Sequence, residues 1–270
     1  ESIQFNKGGP YFMPLCNGSR SRIDLIHQCN GGPHFLESTD ISNEFAREKI
    51  KLGLSNSERS FMANADGEKP LRKIAEAFKD LANTVNAQTL DVEVELEVAP
   101  FSRACSLVSP LFGCLGIAFK FAEMDYVAKV DDLAEASKSI ATLQAMMDRD
   151  IQTNCVTKAG SHTRNLLRVK RGLDMVRVLF EQIIASEGNS LKGPASTAYA
   201  QVFAPYHGWA IRKAVAAGMY ALPTKAQLLK KLNEDETSAR IQMQNYVATS
   251  AAVILFIDKL FLSRELGTDW

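Results

Sequence analysis

The sequence lacks an excess of either charge: 31 Lys and Arg residues face 31 Asp and Glu, and the net charge is zero. No global field therefore draws the chain to nucleic acid or to an anionic bilayer, and any anion site must be built locally. It also lacks a long apolar run. The uncharged, apolar stretch 104–119 contains Pro110 and is bounded by Arg103 and Lys120, which suits a buried helix better than a membrane span. The N-terminal part shows no apolar core of about 7–15 residues such as a signal peptide carries. Cysteine is sparse. Cys16, Cys29, Cys105, Cys114 and Cys155 are odd in number, show no CxxC spacing and stand beside no histidine. That pattern speaks against a disulfide framework or a thiolate metal site and for a reducing compartment, so a cytoplasmic location is expected. The histidines are His27, His34, His162 and His207, with no HExxH or paired-carboxylate spacing; P-loop and nucleophile elbow are missing too. Nothing organises a nucleophile with a base and an orienting group, so no enzyme, metal or cofactor is expected, and a phosphatase built on His207 or Asp125 is disfavoured.

What is present is an ordinary soluble composition, 46% hydrophobic and 23% charged. Residues 1–65 stand apart. Gly8-Gly9-Pro10, Asn17-Gly18-Ser19 and Gly31-Gly32-Pro33 break any periodicity, so this part reads as a low-order extension before a folded domain at 66–270. From there the apolar spacing is helical throughout and predicts an all-α domain of about eight helices. Leu71 to Val85 forms one stripe. A long helix is expected over 101–126, bent at Pro110, and another over 130–149. Further helices are expected near 161–184, 197–203, 207–220, 225–232 and 235–262, with Thr224 as a cap.

The stretch Ser161–Ile184 organises the rest. At about 100° per residue, Arg164, Arg168 and Arg171 fall within roughly 60° on one side, and Leu166, Val169, Leu173, Val176 and Phe180 lie opposite. Beyond Arg171 apolar residues occupy nearly every face, as in a helix buried all round. Arginines at i, i+4 and i+7 repel one another, so the ladder needs carboxylates, full solvation or an anionic ligand. One helix earlier, Asp125 and Lys129 stand one turn apart, acid before base, the favourable order for a simple i, i+4 bridge.

Asp125-x-x-x-Lys129 after a long apolar helix, Arg164-x-x-x-Arg168 on a central one and His207-Gly208-Trp209 opening a late one together resemble the glycolipid transfer protein superfamily. Within it they are most similar to the branch that carries ceramide-1-phosphate. Ser106–Leu133 and Lys158–Glu187 carry most of the likeness, which extends over about 62–270. The resemblance implies a two-layer all-α sandwich with a hydrophobic interior that admits lipid chains. It implies that Asp125 binds the sphingoid amide N–H and hydroxyl and that His207 donates to the acyl carbonyl. Lys129, Arg164 and Arg168 match the phosphate cradle, and Arg171 is a fourth candidate. The sugar-carrying branch uses a Trp on the central helix; this chain has only Trp209 and Trp270, which argues for phosphate. Trp209 matches an aromatic near the portal, implying a transient contact with the bilayer.

The physics agrees. A phosphomonoester bears nearly two negative charges, and guanidinium forks match its oxygens. At an effective dielectric near 20, one contact at about 4 Å contributes roughly 4 kcal/mol before desolvation. Asp125 disfavours a purely anionic ligand with no donor to offer, which an amide N–H supplies. Roughly 25–30 buried carbons at about 0.8 kcal/mol each hold such a lipid in its bilayer, so a shuttle must offer a comparable apolar lining. The expected function is non-enzymatic transfer of ceramide-1-phosphate between membranes. The alternative is a lipid sensor that regulates cell death with little bulk transfer. No residue pattern names a protein partner, and none points to nucleic acid.

Overall fold

The computed structural model describes residues 69–87 and 94–270. The described residues lie within one compact unit, 56–270. The expected low-order extension and its boundary near residue 65 lie outside the described residues.

The helices are α1 (Pro70–Asn86), α2 (Val98–Ser106), α3 (Ser109–Cys114), α4 (Lys120–Ala136), α5 (Leu143–Gln152), α6 (His162–Ala185), α7 (Lys192–Val202), α8 (Trp209–Gly218), α9 (Lys225–Lys231) and α10 (Glu236–Ser263). Short 3-10 turns at Ile117–Phe119, Ala204–Tyr206 and Met219–Ala221 join some of them. Among the described residues no strand forms, only the isolated bridges Glu97–Thr142 and Ser190–Thr224. The result is an all-α, two-layer helical sandwich centred on α6, which packs against α10, α7, α4 and α5.

Capping explains several boundaries. Ser161 opens α6 by accepting from the Arg164 N–H at 3.0 Å, and Asp150 accepts from the Thr163 N–H at 2.7 Å. Asp235 caps α10 through the Ser238 N–H at 2.8 Å, and Thr224 and Gln227 form a reciprocal capping box on α9. Each such cap contributes about 1 kcal/mol.

Two expected helices are broken. The helix expected over 101–126 is divided among α2, α3, a 3-10 turn and α4. Pro110 occupies the first turn of α3, and Gly116, at φ 97°, turns the chain out of helical geometry. The helix expected over 130–149 stops at Ala136. Thr142 caps a new one by accepting from the Ala145 N–H at 3.3 Å. The backbone between is claimed elsewhere: Val98 donates to Ala141 at 2.9 Å and Leu143 to Leu96 at 2.8 Å.

The core is stitched by two buried tyrosines. Tyr246 on α10 meets Phe78 and Phe180 edge-on at 5.0 and 5.6 Å and donates to the Leu173 carbonyl at 3.1 Å. Tyr126 on α4 donates to the Cys105 carbonyl at 3.0 Å. Helix α10 is long and apolar enough to cross a membrane by composition, but its buried face packs on α1 and α6. Lys170 pairs with Asp258 at 2.6 Å across the α6–α10 contact.

Candidate functional site

A cleft of about 350 Å³ opens where α4, α6, the α7–α8 connection and the C-terminal residues meet. Asp125 and Lys129 line it from α4, Arg168 and Arg171 from α6, and His207 from the α7–α8 connection. The chain thus brings five of the six expected residues to one opening. Arg164, half-buried one turn nearer the start of α6, does not line it.

Gly172 permits the convergence. A Cβ there would lie 2.7 Å from the Tyr126 ring, so only glycine lets α4 approach α6 this closely. Gly113 and Gly116, one turn apart in the sequence, do not play this part. A Cβ on Gly113 would meet Glu123 at 3.4 Å, an ordinary contact, and Gly116 serves the turn.

The i, i+4 bridge between Lys129 and Asp125 forms. Lys129 also donates to the Asp125 carbonyl at 3.1 Å. Two of the three ammonium protons are thereby engaged and one remains available. The Asp125 carboxylate is mostly exposed while the Lys129 side chain is largely covered.

The three ladder arginines differ sharply. Arg171 is 5% exposed; its Nη2 donates to main-chain oxygens of Thr268 and Trp270, the latter at 3.0 Å, and its guanidinium lies 3.5 Å from the Tyr206 ring centroid. Burial lowers its pKa first, with the Arg168 charge adding to that and Tyr206 opposing it. Arg168 has no acceptor among the described residues, although its Nε–H is buried. Further along the helix, Arg177 pairs with Asp174 at 2.7 Å and Glu181 at 2.6 Å. An arginine without an ion-pair partner is therefore a property of this end of α6, not of the helix.

His207 stacks on Phe203 with ring centroids 5.6 Å apart and planes at 15°, and its Nδ1 lies 2.9 Å from the Tyr199 hydroxyl. Burial lowers its pKa, the charges of Arg168 and Arg171 lower it further, and Asp125 opposes them. The ring is therefore neutral near pH 7. When Tyr199 donates to Nδ1, the imidazole carries its proton on Nε2.

Adjoining the cleft is an apolar cavity of about 90 Å³, sharing Phe112, Ala122 and Phe203 with it. Met175, Val176, Leu179 and Phe180 form its α6 wall. Pockets for drug-sized ligands span about 300–1,000 Å³, so this cavity must widen to take lipid chains. Stretches 104–119 and 173–184 contribute to it together with α7, α8 and α9, while no residue of 246–262 lines it. Helix α8 buries no residue.

The same connections carry exposed apolar side chains. Ile117 is 89%, Phe121 65% and Trp209 69% exposed, with Met124, Tyr206 and Ile211 also open to solvent. Exposed large apolar side chains of this kind suit an interaction surface. A larger open groove of about 690 Å³, lined by Lys69, Lys225 and Glu234 among others, contains none of the expected site residues.

Sequence reasoning missed Tyr199, Phe203, Tyr206, Gly172, Asp269 and Trp270. Tyr206 adjoins His207 and Tyr199 lies two turns before it, a signal that could have been read. Trp270 is half-buried, packs against Phe261 at 6.3 Å and lines the cleft; its separation from Arg171 in sequence left no local clue.

Comparison with known proteins agrees with this architecture. Residues 96–234 match the family model for glycolipid transfer protein (GLTP). The chain is 70% identical to Accelerated cell death 11 of Arabidopsis thaliana over 210 residues, 77% of this chain and 100% of that protein. It is 26% identical to the ceramide-1-phosphate transfer protein of Danio rerio, over 73% of this chain and 95% of that one. A crystal structure of an Asp→Asn variant of the Arabidopsis protein, complexed with C12 ceramide-1-phosphate, superposes with a TM-score of 0.73 at 69% identity, covering 76% of this chain and 100% of that one. The chain belongs to the glycolipid transfer protein family.

Proposed function

We propose that this protein is a soluble, non-enzymatic carrier that moves ceramide-1-phosphate between membranes. The observation that carries the reading is Arg168, which lines the cleft and whose buried Nε–H has no acceptor among the described residues. A buried donor left unmet costs about 1–3 kcal/mol, a cost that a phosphate oxygen would remove on binding. Lys129 offers its remaining proton to the same phosphate, and Arg164 extends the positive field from the preceding turn. Asp125 accepts from the sphingoid amide N–H and hydroxyl. Neutral His207 donates from Nε2 to the acyl carbonyl. Arg171 already spends its Nη2 on the C-terminal residues and contributes charge rather than a free fork.

The acyl chains enter the apolar cavity as α8, which buries nothing, moves outward. Ile117, Phe121 and Trp209 meet the bilayer transiently and bring the cleft to the headgroups. We place the carrier at 66–270 and its work in the cytoplasm. Cys105, Cys114 and Cys155 are free thiols, and burial pushes Cys114 up to about 11, as suits a reducing compartment.

The test is transfer between donor and acceptor vesicles. Labelled ceramide-1-phosphate should move and galactosylceramide should not; the reverse preference removes the reading. A relative named for accelerated cell death favours a second reading, in which the same pocket senses lipid. An Arg164→Glu variant that loses transfer yet retains the cellular role would select it.

A further inference from the structure

The C-terminal residues do not trail away from α10. After Ser263 the chain reverses at Glu265, which takes φ 54°, with Leu266 donating to Phe261 at 2.9 Å and Glu265 to Leu262 at 3.0 Å. This is a Schellman closure with glutamate where glycine is usual. Arg264 anchors the reversal by gripping both oxygens of Asp148, at 2.6 and 3.2 Å. The next residues run back to the cleft. Trp270 rests on Phe261, and Asp269 and Trp270 form part of the cleft lining. At the far end Arg171 holds two main-chain oxygens of this segment while stacked on Tyr206.

A buried guanidinium is costly to place. Here it is spent on two main-chain oxygens in a segment with no secondary structure of its own. That use makes sense if the segment's position matters. We infer that residues 267–270 are a strap forming one wall of the headgroup cleft, that Arg171 is the positioning residue that pins it, and that the strap limits the headgroup to a bare phosphomonoester. The inference rests on the carrier reading above and adds the specificity element to it. With the strap in place, a substituent on the phosphate such as choline would meet Trp270. With the strap released, the wall opens toward solvent.

The chain's two tryptophans make this testable. In a Trp209→Phe background Trp270 is the sole emitter. Its quenching by acrylamide should rise severalfold on Arg171→Met, while unchanged quenching overturns the pinning. Vesicle transfer of ceramide-1-phosphate and of sphingomyelin, which shares its ceramide but carries choline on the phosphate, is then compared with Trp209 intact. Arg171→Met and Trp270→Ala should each raise the sphingomyelin-to-ceramide-1-phosphate ratio by about tenfold, the lower end of what one steric contact gives to discrimination. The double variant should be no different from either single one, since both release the same wall. An unchanged ratio in Trp270→Ala overturns the strap as a specificity element. Additive effects, with ceramide-1-phosphate transfer lost only in Arg171→Met, would assign Arg171 to the phosphate itself and overturn the inference. Trp270→Ala alters a half-buried residue and keeps the test decisive if Arg171→Met folds poorly. If the unaltered protein transfers no ceramide-1-phosphate, the carrier reading fails separately, and the quenching result still decides whether Arg171 holds the strap.

Discussion

Replacing Arg168 by methionine separates function from stability, because the two should move in opposite directions. Among the described residues the buried Nε–H of Arg168 has no acceptor, and no carboxylate pairs with the guanidinium. Removing it eliminates an unmet donor that costs about 1–3 kcal/mol and relieves its repulsion of Arg171. Methionine keeps the length of the stem, so little packing is lost. For a domain of this size about 1 kcal/mol corresponds to roughly 2–4 °C, and the variant should melt higher by that order. Binding should fall. A hydrogen bond to a charged group contributes about 1.5–3 kcal/mol, so affinity for ceramide-1-phosphate in vesicles should drop roughly 10- to 150-fold. Arg177→Met is the control: it breaks pairs with Asp174 and Glu181, which sit on the same helix away from the cleft, and should melt lower. Calorimetry and a vesicle transfer assay read both quantities. If Arg168→Met melts well below the parent protein, or transfers at the parental rate, Arg168 is a structural residue and the phosphate-cradle argument is wrong.

His207 gives a pH signature. Its folded pKa lies below the ordinary value, so the unfolded chain binds the proton more readily. Stability from this group is complete above about pH 6.5 and declines as pH falls toward the folded value; His207→Gln should flatten that part of the melting profile. The imidazole resonances in Arg168→Met should titrate at higher pH than in the parent protein, because one of the charges depressing His207 is gone; an unshifted titration would place that charge elsewhere. Gly172→Ala should destabilise by about 1–3 kcal/mol and slow transfer, since the new methyl must push the Tyr126 ring and part α4 from α6. Denaturant titration reads the first effect, and parental stability would show that the close approach is not needed. Glu265→Gly should add about 1 kcal/mol by relieving the left-handed backbone, visible as a higher melting temperature. A lower one would mean that the glutamate side chain contributes more than its backbone costs.

Local patterns made much of this protein legible. Apolar spacing set the all-α class and identified α6 as the helix that is polar at one end and buried at the other, because period and composition act within a few turns. Thr224 announced a helix start for the same reason, its side chain satisfying an N–H three residues on. The i, i+4 spacing of Asp125 and Lys129 and the arginine ladder were equally visible. Helix breaks were harder. Thr142 starts a helix because Leu96 and Val98, far earlier in the chain, claim the backbone beside it, and no window around 137–142 contains them. The site was decided still further from sequence. Spacing alone treated Arg164, Arg168 and Arg171 alike, yet folding gave Arg171 the main-chain oxygens of Thr268 and Trp270, 97 and 99 residues later, and gave Arg168 no acceptor among the described residues. A charged side chain's role depends on which acceptors reach it in space, and acceptors brought by the end of the chain leave no trace in the helix that meets them. The sequence by itself determined which residues could bind an anion; only tertiary packing decided which of them was left free to do so.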